Sequence, residues 1–172
     1  KGQYDTYVDI KRPYAMWSVA ATPELSLVPT TWCYWLVGCL SYQSFFAQPL
    51  AQQAEQTLQE QGYDTHLSAV TAYSTLGWFR DSVLSSYVYK PEAELAELLF
   101  HELAHQVVYA KNDPVFNESF AEVVAEEGLK RYLVGHNEGL ERIALRKQRQ
   151  QQFAQLVLDY RQQLAKVYQS TL

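Results

Sequence analysis

Two histidines four residues apart, His101 and His105 in Leu99-Phe100-His101-Glu102-Leu103-Ala104-His105, are the pair in this chain whose type and spacing best suit chemistry. On a helix that spacing stacks both side chains on one face, so the two imidazoles reach one ion lying about 2 Å from each nitrogen, as in the HExxH zinc pattern. Glu102 projects about 100° further round the helix, beside such an ion, where a carboxylate serves as base toward metal-activated water. Because only three of the five positions are fixed, the surroundings decide whether the match is real. The stretch is apolar nearly all round, through Leu95, Leu98, Leu99, Phe100, Leu103, Val107 and Val108. That pattern predicts a buried helix, and polar groups buried in it need partners.

A catalytic zinc takes three protein ligands and keeps one position for water. Asn117-Glu118-Ser119-Phe120-Ala121 follows the Asp113-Pro114 turn, and a returning helix would bring Glu118, thirteen residues beyond His105, onto the histidine face. The expectation is therefore one zinc ion per chain on His101, His105 and Glu118, with Glu102 as general base and proton shuttle. Tyr73, Tyr109, Tyr132 and His136 are the candidate donors to a developing oxyanion, and spacing does not rank them.

Several elements must position these groups. Pro91 and the carboxylates Glu92 and Glu94 open a helix expected over 92–110, and a second is expected over 116–133 with Asn117 as its cap. Upstream, 14–21 reads as a strand, 25–28 as a short extended piece, and the aromatic run 32–42 as extended or as a bridged turn. Pro49 and Gly62 bracket a helix over 50–61, followed by strands over 63–69 and 83–89. Residues 1–13 carry no period and read as a lead-in. The tail, 138–168, reads as one long helix or two, with an apolar stripe at Phe153, Leu156, Val157, Tyr160, Leu164 and Val167 expected to pack on the domain or on a missing segment.

The chain has 172 residues, 48% of them hydrophobic, which suits one domain over 1–172. Its net charge of −5 comes without a basic patch, which argues against a nucleic-acid partner. The most apolar run, 31–40, is half the length that crosses a bilayer. The chain begins at Lys1, so an N-terminal export or anchor segment is expected to be missing, and contact with a membrane is expected through that segment alone. Cys33 and Cys39 lie close enough for a bridge across a tight turn at Gly38, which favours an oxidising site: the periplasm or cell envelope of a bacterium.

The chain resembles the gluzincin branch of zinc metallopeptidases, in which HExxH is followed by a helix bearing the glutamate ligand in an NExx[AD] pattern. More closely, it is similar to the bacterial predicted-aminopeptidase family in the blocks WCYWLVGC at 32–39, AYSTLGWF at 72–79, LLFHELAHQVVY at 98–109 and FNESFA at 116–121. The resemblance implies a zincin-like α+β fold. A small mixed sheet is expected to pack on the HExxH helix, with the glutamate-bearing helix and a long C-terminal helix to follow. It also implies a zinc-dependent aminopeptidase acting on peptides, with His101, His105 and Glu118 as ligands and Glu102 as base. Glu122, one helical turn past Glu118, is implied as a carboxylate that orients a ligand histidine. Ala72, Tyr73, Ser74 and Thr75 are implied as an edge strand that pairs with extended substrate. An aminopeptidase also needs an acidic group for the substrate ammonium, for which Glu94, Glu97 and Glu122 are candidates. Two rival readings are an endopeptidase of the same mechanism and a non-catalytic, zinc-stabilised binding domain; the presence of Glu102 argues against the latter.

Overall fold

The computed structural model describes residues 3–35, 38–76, 78–134 and 140–171 of a mixed α+β chain. Its central feature is β2 (Met16–Pro23), an eight-residue strand flanked by β5 (Gln43–Phe45) and β6 (Tyr63–Val70), with both pairings antiparallel. Alternation along β2 sends Trp17, Val19 and Ala21 to one face and Met16, Ser18 and Ala20 to the other. The first face packs on α1 (Gln48–Glu60), where Trp17, Val19, Phe45 and Leu67 close over Ala51 and Leu58. Pro49 sits in the first turn of α1, while Gly62 takes φ +83°, the left-handed value that turns the chain from the helix end into β6.

A second, two-stranded sheet pairs β1 (Tyr7–Val8) with β7 (Val83–Leu84) in parallel, so part of the lead-in is held in place after all. The strand expected over 83–89 stops at Leu84. The N–H groups of Tyr87 and Val88 both turn back to the Leu84 carbonyl, and Ser86 donates its hydroxyl to Thr71 O at 2.6 Å. Residues 25–28, expected to be extended, form no strand: the chain turns after Pro23, with Leu25 at φ 58°.

β3 (Trp32–Tyr34) and β4 (Gly38–Leu40) form a hairpin closed by the Cys33–Cys39 disulfide, which settles the bridged alternative for this run. The hairpin is fastened to the loop that follows the HExxH helix. Asn112 Oδ1 accepts the Cys39 N–H at 3.0 Å and Lys111 Nζ donates to Trp35 O at 2.9 Å. Gly38, at φ +88°, allows this approach, since a Cβ there would lie 2.2 Å from Asn112 Oδ1.

Helices α2 (Glu92–Val107) and α3 (Pro114–Tyr132) run antiparallel: Tyr132 bonds Glu92, the Phe100 ring packs on Gly128, and His105 meets Glu118. The cap of α3 is Asp113, whose Oδ1 accepts the Phe116 N–H, and not Asn117 as its composition suggested. Although α2 is apolar nearly all round, it is not enclosed on all sides. Leu95, Leu98 and Leu99 pack on a second core of Ala15, Ala72, Leu84 and Tyr87, while Val107 is 80% exposed.

Finally, α4 (Leu140–Thr171) is one continuous helix, straddling α2 and α3 near its start through Arg146 to Glu97 and Lys147 to Glu126. Its apolar stripe, expected to pack, stays exposed at Phe153, Leu156, Val157, Tyr160, Leu164 and Val167. Among the described residues, no helix is long and apolar enough to cross a membrane.

Candidate metal centre

The antiparallel pairing of α2 and α3 brings the sequence-derived ligand set together. The two imidazole Nε2 atoms are 3.1 Å apart, and the Glu118 carboxylate spans them, with Oε2 3.3 Å from His101 Nε2 and Oε1 3.6 Å from His105 Nε2. A tetrahedral ion about 2.0–2.1 Å from its ligands would hold them roughly 3.3–3.4 Å apart, so these donors stand at the spacing zinc asks for. The donor set, two imidazoles and one carboxylate, is also that of a zinc site with a position left over, so the residues fit the implied metal.

The histidines are largely enclosed, whereas the Glu118 side chain is 66% exposed at the mouth. Their hydrogen bond raises the His101 pKa and lowers that of Glu118, and burial lowers that of His105. Glu102 is buried beside them, and desolvation pushes its carboxyl up to about 7, with Glu118 and Asp81 adding to the rise. A carboxyl near neutrality is suited to take up and release one proton.

The donors face a cavity of about 620 Å³. Its far wall is the sheet face opposite α1, with Met16, Ser18 and Ala20 of β2, Ser44 of β5, and Ser68 and Val70 of β6. Leu40, Ser41 and Tyr42 close one side; Ala72, Tyr73, Ser74 and Leu76 close another. Of the expected substrate stretch, Ala72, Tyr73 and Ser74 thus line the cavity and Thr75 does not. Beyond β6 that stretch is irregular, without the strand edge expected of it. The Thr75 N–H is bonded to Asp81 Oδ2 at 3.0 Å, and Ser74 Oγ accepts the Leu76 N–H.

Asp81 was not singled out in the sequence. At 6% exposure its Oδ2 also accepts a hydrogen bond from Gln106 Nε2 at 3.1 Å, tying the Ala72–Leu76 wall to α2. Nothing local in Arg80-Asp81-Ser82 signals this, because both partners come from elsewhere in the chain.

Of the proposed oxyanion donors, Tyr73 and Tyr109 line the cavity. Tyr132 bonds Glu92 at the far end of α2, roughly 13 Å along the axis from His101, so it lies outside the site. His136 lies outside the described residues. Tyr42 is an addition: it lines the cavity with its pKa raised by burial and by the nearby Glu118 carboxylate. Glu122 is close enough to raise the His101 pKa through its charge, but no hydrogen bond to a ligand histidine accompanies it. Neither it nor Glu94 nor Glu97 lines the cavity, and Glu97 is paired with Arg146.

Neither a curated protein nor a solved structure matches the chain. One family model does, over residues 1–172, and its description is "Putative aminopeptidase". That name describes a hydrolase acting on peptides, and α2, α3 and the sheet face opposite α1 assemble a cleft, a buried carboxyl and a group of three side chains that could hold a metal ion. The chain belongs to this aminopeptidase family.

Proposed function

We propose that the protein is a zinc-dependent peptidase that hydrolyses peptide bonds, with His101, His105 and Glu118 holding one ion and Glu102 acting as general base. The observation that carries this reading is the convergence of three donor atoms at tetrahedral spacing beside a buried carboxyl displaced to about 7. When bound, zinc supplies an acidified water and polarises the scissile carbonyl. Glu102 takes the proton and returns it to the departing amine, its burial keeping both protonation states accessible near neutral pH. Tyr42, Tyr73 and Tyr109 line the same cavity and are the candidates to donate to the developing oxyanion. Ala72, Tyr73 and Ser74 hold the peptide along one wall.

Family membership favours removal of N-terminal residues. A second reading, an endopeptidase of the same mechanism, is favoured by one observation. Glu102 and Glu118 are the carboxylates among the described lining residues, both are committed to the chemistry, and none is left to take a substrate ammonium. The Cys33–Cys39 bridge supports an oxidising location such as the periplasm or cell envelope. The deciding experiment is metal analysis of the purified protein together with cleavage of one peptide library carrying free and acetylated N-termini. A metal-free, inactive protein, or one whose activity survives complete zinc removal, would overturn the proposal. Equal cleavage of both libraries would select the endopeptidase form.

A further inference from the structure

The two faces of β2 are built from different materials, and the face turned toward the metal centre has a pattern of its own. In the register of the sheet, Ser18 stands directly opposite Ser44 on β5 and directly opposite Ser68 on β6. The three serines therefore form one row crossing all three strands, and each of them lines the cavity that holds His101, Glu102 and His105. With strands about 4.8 Å apart, the row offers a hydroxyl roughly every 5 Å over about 10 Å.

A sheet face turned toward a helix is ordinarily filled by branched apolar side chains, as the α1 face is here. Small residues at these positions leave the cavity open. Two of the hydroxyls are also uncommitted: among the described residues neither Ser18 nor Ser44 bonds a protein group through its side chain, while Ser68 donates weakly to the Ser18 carbonyl at 3.5 Å. Serines on strands usually spend their hydroxyls on nearby backbone. Three in register, facing a reaction centre, are a row of donors and acceptors without a reason in the fold.

We propose that Ser18, Ser44 and Ser68 form the floor of a substrate subsite for a neutral, hydrogen-bonding side chain, the carboxamide of Asn or Gln above all. The inference rests on the reading of the cavity as a peptide cleft and names the side chain it selects. A carboxamide brings one donor group and one acceptor, which two neighbouring hydroxyls can each match by rotation. An apolar side chain would strip water from the half-buried Ser18 and Ser68 hydroxyls and return no bond. A carboxylate would find no Lys or Arg among the described lining residues and would face Glu102 and Glu118.

The test compares peptides carrying Gln with peptides carrying its near-isostere Met at each position around the scissile bond. Affinity is read on the zinc-loaded Glu102→Gln protein, and cleavage on the wild type. Gln should be favoured about tenfold or more at one position, and Ser18→Ala combined with Ser68→Ala, on either background, should lower that preference roughly tenfold, by weakening the Gln peptide and relieving the Met peptide of the cost of desolvating the hydroxyls. Melting temperatures check that the alanine variants remain folded. No preference for Gln at any position, or a preference the alanine variants keep, overturns the subsite. Serine-dependent binding without hydrolysis would remove the peptidase reading and leave the subsite standing, whereas hydrolysis with an unchanged profile would do the reverse.

Discussion

The packing of α1 on the sheet and the packing of α2 on α3 are both helix interfaces, yet they are made of opposite things. Val19 and Ala51, each fully enclosed, centre the first, with Trp17, Phe45, Leu58 and Leu67 around them. The second has small residues at Ala104, Ala121 and Ala125 beside the larger Leu129, and brings His101, His105, Glu102 and Asn117 in among them. One interface stabilises by removing apolar surface from water, while the other uses close approach of backbones to hold polar groups at fixed separations. Fold and chemistry are thus carried by different seams, and changes in one should leave the other's readout alone.

The sharpest separation is expected from Glu102→Gln, which should retain zinc and fold while lowering turnover by at least roughly a thousandfold, since base and proton shuttle are lost together. Kinetics beside metal analysis measures it, and full activity in the variant would take Glu102 out of the mechanism. Glu118→Ala should lose stoichiometric zinc, because two imidazoles hold the ion far more weakly than three ligands. Equal zinc content in that variant and the wild type would put the third ligand elsewhere.

A pH titration cuts across the comparison, since a buried carboxyl in the functional seam ought to cost stability. The Glu102 pKa is raised from 4.5 to about 7, so the native state binds the proton more tightly than the unfolded chain. The penalty is absent below pH 4.5, grows between 4.5 and 7, and is complete above that, at about 3 kcal/mol. Metal-free Glu102→Gln should therefore be the more stable protein at pH 8, with the gap closing at pH 4. Parallel denaturation curves at the two pH values would contradict the burial argument.

Smaller effects are expected from the purely structural side. Replacing Cys33 and Cys39 by serine should cost about 2 kcal/mol, the entropy of so short a loop. Val19→Ala should cost about 2 kcal/mol with zinc content and kcat/KM unchanged. A loss of activity larger than the loss of folded protein in Val19→Ala would show the two seams to be coupled.

What the sequence disclosed follows the same division. Histidines at i and i+4, and a glutamate beyond a Pro-marked turn, are local spacings, and local spacing survives folding. The α1 boundaries were legible for the same reason, from Pro49 and Gly62. Long-range partners are not written in any window. Asn117 looks like a cap, yet its carboxamide is taken by Ala110, which leaves the capping role to Asp113. The β-branched and aromatic run after Val83 looks like a strand, but among the described residues its strand partner is the two-residue β1, and pairing ends at Leu84. The serine row depends on the register of three strands separated in the chain by the β3–β4 hairpin and helix α1. Asp81 depends on partners on either side of β7.

Asn117 carries a consequence for how the centre fills. Its side-chain nitrogen donates to Ala110 O at 2.9 Å and its side-chain oxygen accepts the Ala110 N–H at 2.7 Å, so one carboxamide closes the turn between α2 and α3 as a strand partner would. Glu118 is the next residue, so this closure sets where its backbone stands beside His105, while its largely exposed side chain keeps its own rotation. If the three donors take up an ion as proposed, the third arm has only to turn its side chain. The observed rate of uptake should then rise linearly with metal concentration, and Asn117→Ala should bend that line into saturation by making closure of the turn the slow event.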